Sequence, residues 1–159
     1  MDENYDLFER LETDRLEIVP RMSYRRANEL LEVIEKDGLF PNFNLLNTSL
    51  SEVVDDYRLG IDRYSVFYRQ YNIEVNLVGL VSLDYDDKDN SCLIAYYIFP
   101  KYRRKGFAFE IVSKIIDELK DKTIKAIVLK DNECSINLLK KLGFEFVEEK
   151  DGRCIFQKD

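Results

Sequence analysis

Residues 92–120 constrain the fold more than any other stretch. Cys92 to Phe99 is almost wholly apolar, so as a strand it has both faces covered and belongs inside a sheet. It runs into a short basic loop that ends at Gly106. That loop opens directly into Phe107–Lys120, where Ala108, Ile111, Val112, Ile115 and Leu119 recur on one face of a helix. Ala126-Ile127-Val128-Leu129 follows as a second short apolar run. An apolar run after an amphipathic helix reads as a buried strand parallel to the first. Such a strand–helix–strand crossover needs a sheet with helices packed on it, which sets the class as α/β.

The flanking segments extend that sheet. Arg15–Val19 alternates in polarity and stops at Pro20, as a first strand does. Ser23 is placed as the N-cap of a helix carrying Ala27, Leu30, Leu31 and Ile34, and Gly38 ends it. Thr48 or Ser49 caps a second helix reaching about Tyr57–Gly60. Tyr64–Arg69 and Asn76–Asp84 read as hairpin strands, and the acidic stretch Asp84–Asn90 as a solvated turn. Ser135, Leu138, Leu139 and Leu142 mark a short helix that ends at Gly143. Two closing strands, about Phe144–Glu149 and Cys154–Gln157, are joined by an Asp151-Gly152 turn. The predicted order is β-α-α-β-β-β-α-β-α-β-β. It describes an α/β (mixed α+β) domain with a central, mostly antiparallel mixed sheet of about six to seven strands and helices on both faces. With 6 Gly and 3 Pro no flexible linker divides the chain, so residues 1–159 are read as a single domain.

Composition removes several kinds of chemistry. There is no His, which excludes a Ser-His-Asp or Cys-His nucleophile and a His-ligated metal. Proton transfer falls to carboxylates, Tyr, Ser, Cys, Lys or water. Cys92, Cys134 and Cys154 are far apart and without a CxxC, so they are read as small buried or half-buried thiols in a reducing compartment. No metal site is expected. No apolar run approaches the roughly 20 residues of a membrane span, and the acidic N-terminus lacks signal-peptide regions, so the cytoplasm is the expected location. Lys and Arg total 24 against 31 Asp and Glu, a net charge of −7, which argues against general nucleic-acid binding.

Against that acidic background, Lys101, Arg103, Arg104 and Lys105 crowd positive charge just ahead of Gly106 and the helix. Outward N–H groups and the dipole at a helix N-terminus favour an anion, and a glycine lets the backbone approach it closely. On charge alone, a solvated basic loop and a phosphate site are both open readings.

The spacing Arg103-x-x-Gly106-x-Ala108 resembles the Q/R-x-x-G-x-G/A signature of the GNAT superfamily of N-acetyltransferases. Thr13-Asp14-Arg15-Leu16 is similar to the T-x-R-L opening of its ribosomal-protein-acetylating branch. Tyr96-Tyr97-Ile98-Phe99-Pro100 resembles the fourth strand, and Gly106-Phe107-Ala108-Phe109-Glu110 the G-y-A-t-E helix start. Asn132-x-x-Ser135 followed by Leu142-Gly143-Phe144 resembles the N-x-x-S…L-G-F segment. The resemblance runs from about Thr13 to Phe156.

It implies acetyl-CoA as co-substrate and a primary amine as acceptor, such as a peptide or protein N-terminus. The alternatives are a small-amine or polyamine acetyltransferase and a non-catalytic acyl-CoA-binding module. It implies that the cofactor pyrophosphate lies on Arg103, Arg104, Lys105, Gly106, Phe107 and Ala108. The pantetheine arm would pair along Tyr97, Ile98 and Phe99, where a strand N–H faces the thioester carbonyl. The fourth and fifth strands would splay to admit it, with Asn132 contacting the cofactor or holding its loop. The resemblance leaves the protein a monomer or a homodimer.

Two positions depart from the pattern. Leu139 stands where many members carry a proton-donating Tyr, which leaves Ser135 as the candidate general acid besides serving as a helix N-cap. Leu93 stands where many carry a Glu, so the base is unassigned, with Asp84 or a held water as candidates. Glu110 is read as a carboxylate that complements the helix dipole. The acceptor side is read from about Asp37 to Tyr68, including Gly38–Phe43, which holds no recognisable specificity code.

Overall fold

Alternating polarity decides which face each strand buries, and a computed structural model shows the outcome for residues 6–23, 25, 27, 28, 30, 32, 50–69 and 77–159. The strands are β1 (Leu11–Glu12), β2 (Leu16–Pro20), β3 (Arg63–Tyr68), β4 (Leu77–Asp86), β5 (Ser91–Ile98), β6 (Thr123–Leu129), β7 (Glu145–Lys150) and β8 (Arg153–Lys158). The helices are α1 (Leu50–Leu59), α2 (Phe107–Glu118) and α3 (Glu133–Lys141), and residues 25, 27, 28, 30 and 32 are also helical. Ala27 donates its N–H to the Ser23 carbonyl at 3.0 Å, as in a helical first turn. The expected end of that helix at Gly38 and the cap at Thr48 or Ser49 lie outside the described residues, as does the whole Gly38–Phe43 segment.

One sheet holds the eight strands in the order β1-β2-β3-β4-β5-β6-β8-β7. Neighbours are antiparallel except β5 and β6, the pair joined by the α2 crossover. The eighth strand is β1, whose Leu11 and Glu12 pair with Ile18 and Glu17. Two residues are too short to show a polarity period. The second difference is at Asp84: Asp84, Tyr85 and Asp86 continue β4, and the turn is confined to Asp87–Asn90. The closing hairpin turns at Asp151 (φ 53°) and Gly152 (φ 76°), the paired positive φ that a tight turn between twisted strands requires.

Burial follows the alternation. Val81 and Leu83 of β4 join Ile94 of β5 and Ile111 and Ile115 of α2 in the larger core. Leu80 of β4 turns the other way, to Phe99, Tyr57 of α1, Ala27 and Leu30. Helices therefore cover both faces. No helix among the described residues is long and apolar enough to cross a membrane.

One buried carboxylate ties the chain's start to this sheet. Asp62 accepts the Leu7 N–H at 2.5 Å and the Tyr64 hydroxyl at 2.8 Å, and its own N–H donates to Asp6 at 2.7 Å. Asp62→Ala should lower stability by about 1–3 kcal/mol in urea unfolding, because two donors lose their acceptor. Asp62→Asn keeps the acceptor oxygen and should recover most of that loss.

Candidate active site

The β5–α2 connection is built from residues that turn backbone N–H groups outward. Pro100–Tyr102 forms one 3-10 turn, after which Arg104 (φ 64°) and Gly106 (φ 79°) both adopt the left-handed conformation. Gly106 is the N-cap of α2 and, having no side chain, offers no cap; the first helical bond runs from the Glu110 N–H to its carbonyl at 3.1 Å. Among the described residues, none accepts a hydrogen bond from the N–H of Arg104, Lys105, Gly106, Phe107, Ala108 or Phe109. A run of such donors at a helix N-terminus is an anion cradle. Arg104 and Lys105 are exposed beside it, and Ala108 is half-buried.

Arg103 has a structural occupation. Its N–H returns to the Pro100 carbonyl at 3.3 Å, its Nε donates to the Ile98 carbonyl at 2.9 Å, and its guanidinium lies 5.3 Å from the Tyr97 ring. The amides that face outward therefore begin at Arg104. Phe107 is buried under the Arg15 guanidinium, 4.3 Å from its ring, and meets Tyr68 edge-on.

The helix N-terminus is fixed by a clamp that the sequence presents only as separate motifs. The Glu110 carboxylate accepts the Arg15 N–H at 3.1 Å, the Arg15 Nε at 2.8 Å and the Thr13 hydroxyl. Burial pushes the Glu110 carboxyl up, but these donors outweigh it and hold it below the usual carboxylate range. Thr13 and Arg15 thereby join the start of β2 to the first turn of α2. Beside the clamp lies a cleft of about 530 Å³, lined by Arg15, Gly106, Phe109, Glu110, Ser113 and Lys141.

On the other side of the loop the sheet opens. β5 pairs with β6 only from Ser91 to Ile94, opposite Thr123 to Ala126, and Ala95 to Ile98 pair only with β4. Beyond Ala126, β6 continues against β8. The Ala95–Ile98 end of β5 is thus without a strand partner on its β6 side, an edge that an extended chain can pair with. Tyr97 packs edge-on against Phe99, their centroids 5.4 Å apart, while Ile98 and Phe99 are buried.

Asn132 and Ser135 sit at the start of α3, with one reassignment. The N-cap is Asn132, whose Oδ1 accepts the Ser135 N–H at 3.2 Å. Ser135 lies three residues inside the helix, so it receives the cap and does not supply it. An Asn side chain reaches back to the third N–H as readily as a serine does. Leu139 is 1% exposed in the main core.

Asp84 is directly opposite Leu93 across the β4–β5 ladder. Its carboxylate is paired with Arg63 at 2.9 Å, and Arg63 also holds Asp56 at 2.8 Å. Nothing in the one-dimensional pattern announces this, because the three residues lie on different elements. Tyr57, beside them on α1, has its hydroxyl pushed up to about 12 by burial.

Cys92 and Cys154 are buried, and burial pushes the Cys92 thiol up to about 12, which makes it inert. Cys134 is exposed, against the expectation of three covered thiols: as the second residue of α3 it points away from the sheet.

Comparison with known proteins agrees with this geometry. Residues 31–144 match the model of the Acetyltransferase (GNAT) family. The chain is 29% identical over 153 residues to the uncharacterized N-acetyltransferase YoaA of Bacillus subtilis (strain 168), covering 87% of this chain and 84% of that protein. A GNAT-family acetyltransferase from Bacillus anthracis superposes with a TM-score of 0.75 at 17% identity, over 94% of this chain and 97% of that one. RimL, a ribosomal L7/L12 alpha-N-protein acetyltransferase in complex with coenzyme A, superposes with a TM-score of 0.70 at 13% identity, over 92% of this chain and 94% of that one. The chain belongs to the GNAT family of acetyltransferases, enzymes that move an acetyl group from acetyl-CoA to an amine.

Proposed function

We propose that this chain acetylates a primary amine at a peptide or protein N-terminus. The run of outward N–H groups from Arg104 to Phe109, set beside the opening between β5 and β6, carries the reading. The residues fit acetyl-CoA: amides and the exposed Arg104 and Lys105 suit its pyrophosphate, and the open edge at Tyr97, Ile98 and Phe99 suits its amide-bearing pantetheine arm. Bound there, acetyl-CoA supplies an activated acyl group. The protein then has three tasks: hold the thioester carbonyl against a strand N–H, admit a neutral amine from the α1 side, and return a proton to the departing sulfur.

Direct attack by the amine needs no covalent enzyme intermediate, which fits a chain without His. Asn132 holds the start of α3, and Ser135, two residues from the helix end, is the proposed proton donor. Asp84 is the candidate base, through its place opposite Leu93, although the Arg63 pairing makes a bound water an equal contender for that role. RimL is a ribosomal L7/L12 alpha-N-protein acetyltransferase, and the Thr13-x-Arg15-Leu16 opening supports the same branch here. A net charge of −7 suits a cationic acceptor.

A second reading has its own observation. Leu139 is buried and Leu93 is apolar, so a protein that binds acyl-CoA without turning it over would carry these same side chains. Titration calorimetry with acetyl-CoA should show binding; no heat at saturating ligand would end both readings. A thiol-release assay over basic peptides, small amines and polyamines then decides between them. Release with peptides alone supports the proposal, release with polyamines alone moves the acceptor class, and none with any amine leaves the binding module.

A further inference from the structure

We propose that β7 is the contact strand of a two-fold dimer, in which the sheets of two copies of this chain join edge to edge through β7 and its copy. β7 ends the sheet: β8 lies on one side and, among the described residues, no strand lies on the other. All six of its residues are exposed. A bulge interrupts its register with β8 between Phe146 and Glu148, and two apolar residues stand there in succession, Phe146 at 55% and Val147 at 52% exposed. Phe146 meets the buried Phe156 edge-on, with centroids 5.8 Å apart, so it carries the apolar core out to the rim of the sheet. A sheet edge presents a row of N–H and C=O groups that another strand can use, and charged side chains blunt it. In β7 the charges of Glu145, Glu148, Glu149 and Lys150 flank an apolar centre, and their order decides what can pair.

That order fits a second copy. In an antiparallel pair, hydrogen-bonded and non-hydrogen-bonded positions alternate. A two-fold axis must exchange positions of the same kind, so it passes through a residue that faces its own copy. Like charges directly opposite are destabilising. With Glu145, Glu148, Glu149 or Lys150 on the axis, that charge faces itself. With Val147 there, Glu145 faces Glu149 twice. Phe146 alone among the β7 residues avoids every such clash. It then faces its own copy as an aromatic pair, and Glu145 faces Val147. In the same register Glu149 of each copy reaches Gly143 of the other, and Lys158 Nζ stands 3.0 Å from the place of a Cβ on Gly143. Symmetry makes that pairing of Glu149 with Lys158 twice. A recess of about 280 Å³ along this edge, with Gly143, Val147 and Lys158 in its lining, gives the partner's side chains room. The opposite edge of the sheet is β1, two residues long and too short to template a further strand, so the assembly closes at two copies.

The test uses the full chain and follows its mass by sedimentation from about 1 to about 100 μM, the range suited to a modest interface. The wild type should pass from 18.9 kDa to twice that mass. Phe146→Lys puts like charges on the axis and should stay monomeric throughout, with a thermal melt to show that it folds. Glu149→Lys should weaken the dimer by about tenfold, since two ion pairs are lost. Adding Lys158→Glu should restore it, because the exchanged charges meet again across the axis. If Phe146→Lys does not fold, this charge exchange decides, since it leaves the packing of Phe146 on Phe156 in place. A wild type that remains at 18.9 kDa at the highest concentration leaves the edge to a different chain and overturns the proposal. So does a dimer that a folded Phe146→Lys leaves intact, growth beyond two copies, or a double variant no tighter than Glu149→Lys.

Discussion

Gly106→Trp should abolish acetyl-CoA binding while the domain still folds. Gly106 combines a left-handed φ of 79° with the N-cap position of α2, so its backbone is open to a ligand on the side that an indole would fill. A Cβ there would meet only the Arg15 guanidinium, at 3.5 Å, which is ordinary contact. The conformational cost to a non-glycine residue is about 1–2 kcal/mol, a fall of several degrees in melting temperature. The ligand loses far more. Hydrogen bonds to a charged group are worth about 1.5–3 kcal/mol each, so blocking two of the outward amides costs about a hundredfold or more in affinity. Calorimetry beside a thermal melt reads both effects. Unchanged affinity in a folded variant would remove the cradle assignment. Gly106→Ala should fall between, with the same backbone cost and little blockage.

Glu110→Ala should be the most destabilising substitution at the site, by about 2–4 kcal/mol. A carboxylate that only complemented the helix dipole would contribute about 0.3–1 kcal/mol. Glu110 also accepts from the Arg15 N–H, the Arg15 guanidinium and the Thr13 hydroxyl, and its side chain is 19% exposed. Its removal strands those donors and releases the first turn of α2 from β2, so cofactor affinity should fall with stability. The pH dependence follows from the direction of its shift. The folded carboxyl lies below its usual range, so the clamp's contribution is complete above about pH 4.3 and is lost as pH falls through the lowered folded value. The stability gap between the wild type and Glu110→Gln should therefore be constant near neutrality and narrow only in acid. A gap of less than about 1 kcal/mol for Glu110→Ala would return the residue to a dipole role.

These two positions show how much of the site could be read in advance. Gly106 was legible because its role depends on local backbone: an apolar strand, a basic loop, a glycine and an amphipathic helix are adjacent in sequence. The same locality made the closing hairpin, with Asp151-Gly152 at its turn, and the extent of α2 readable to within a few residues. Glu110 was visible as a first-turn acid, but its partners Thr13 and Arg15 lie more than ninety positions away, and no periodicity joins them. The strand read as ending at Asp84 because four acidic residues cluster from there on. It instead runs on to Asp86, with the Asp84 charge compensated by Arg63 on the neighbouring strand. Asn132 and Ser135 are both good capping residues, and only the path of the chain into α3 decided that Asn132 caps.

The sequence by itself determined the α/β class, the strand–helix–strand crossover and the place of the glycine loop whose N–H groups face outward at the start of α2. Each of these follows from patterns spanning a few neighbouring residues. The tertiary structure alone decided that β5 and β6 part after Ile94 and Ala126, and that Arg15 and Glu110 tie the start of α2 to β2. Those contacts join residues distant in the chain. Which side chains meet there depends on how strands twist and helices pack, which no local pattern records.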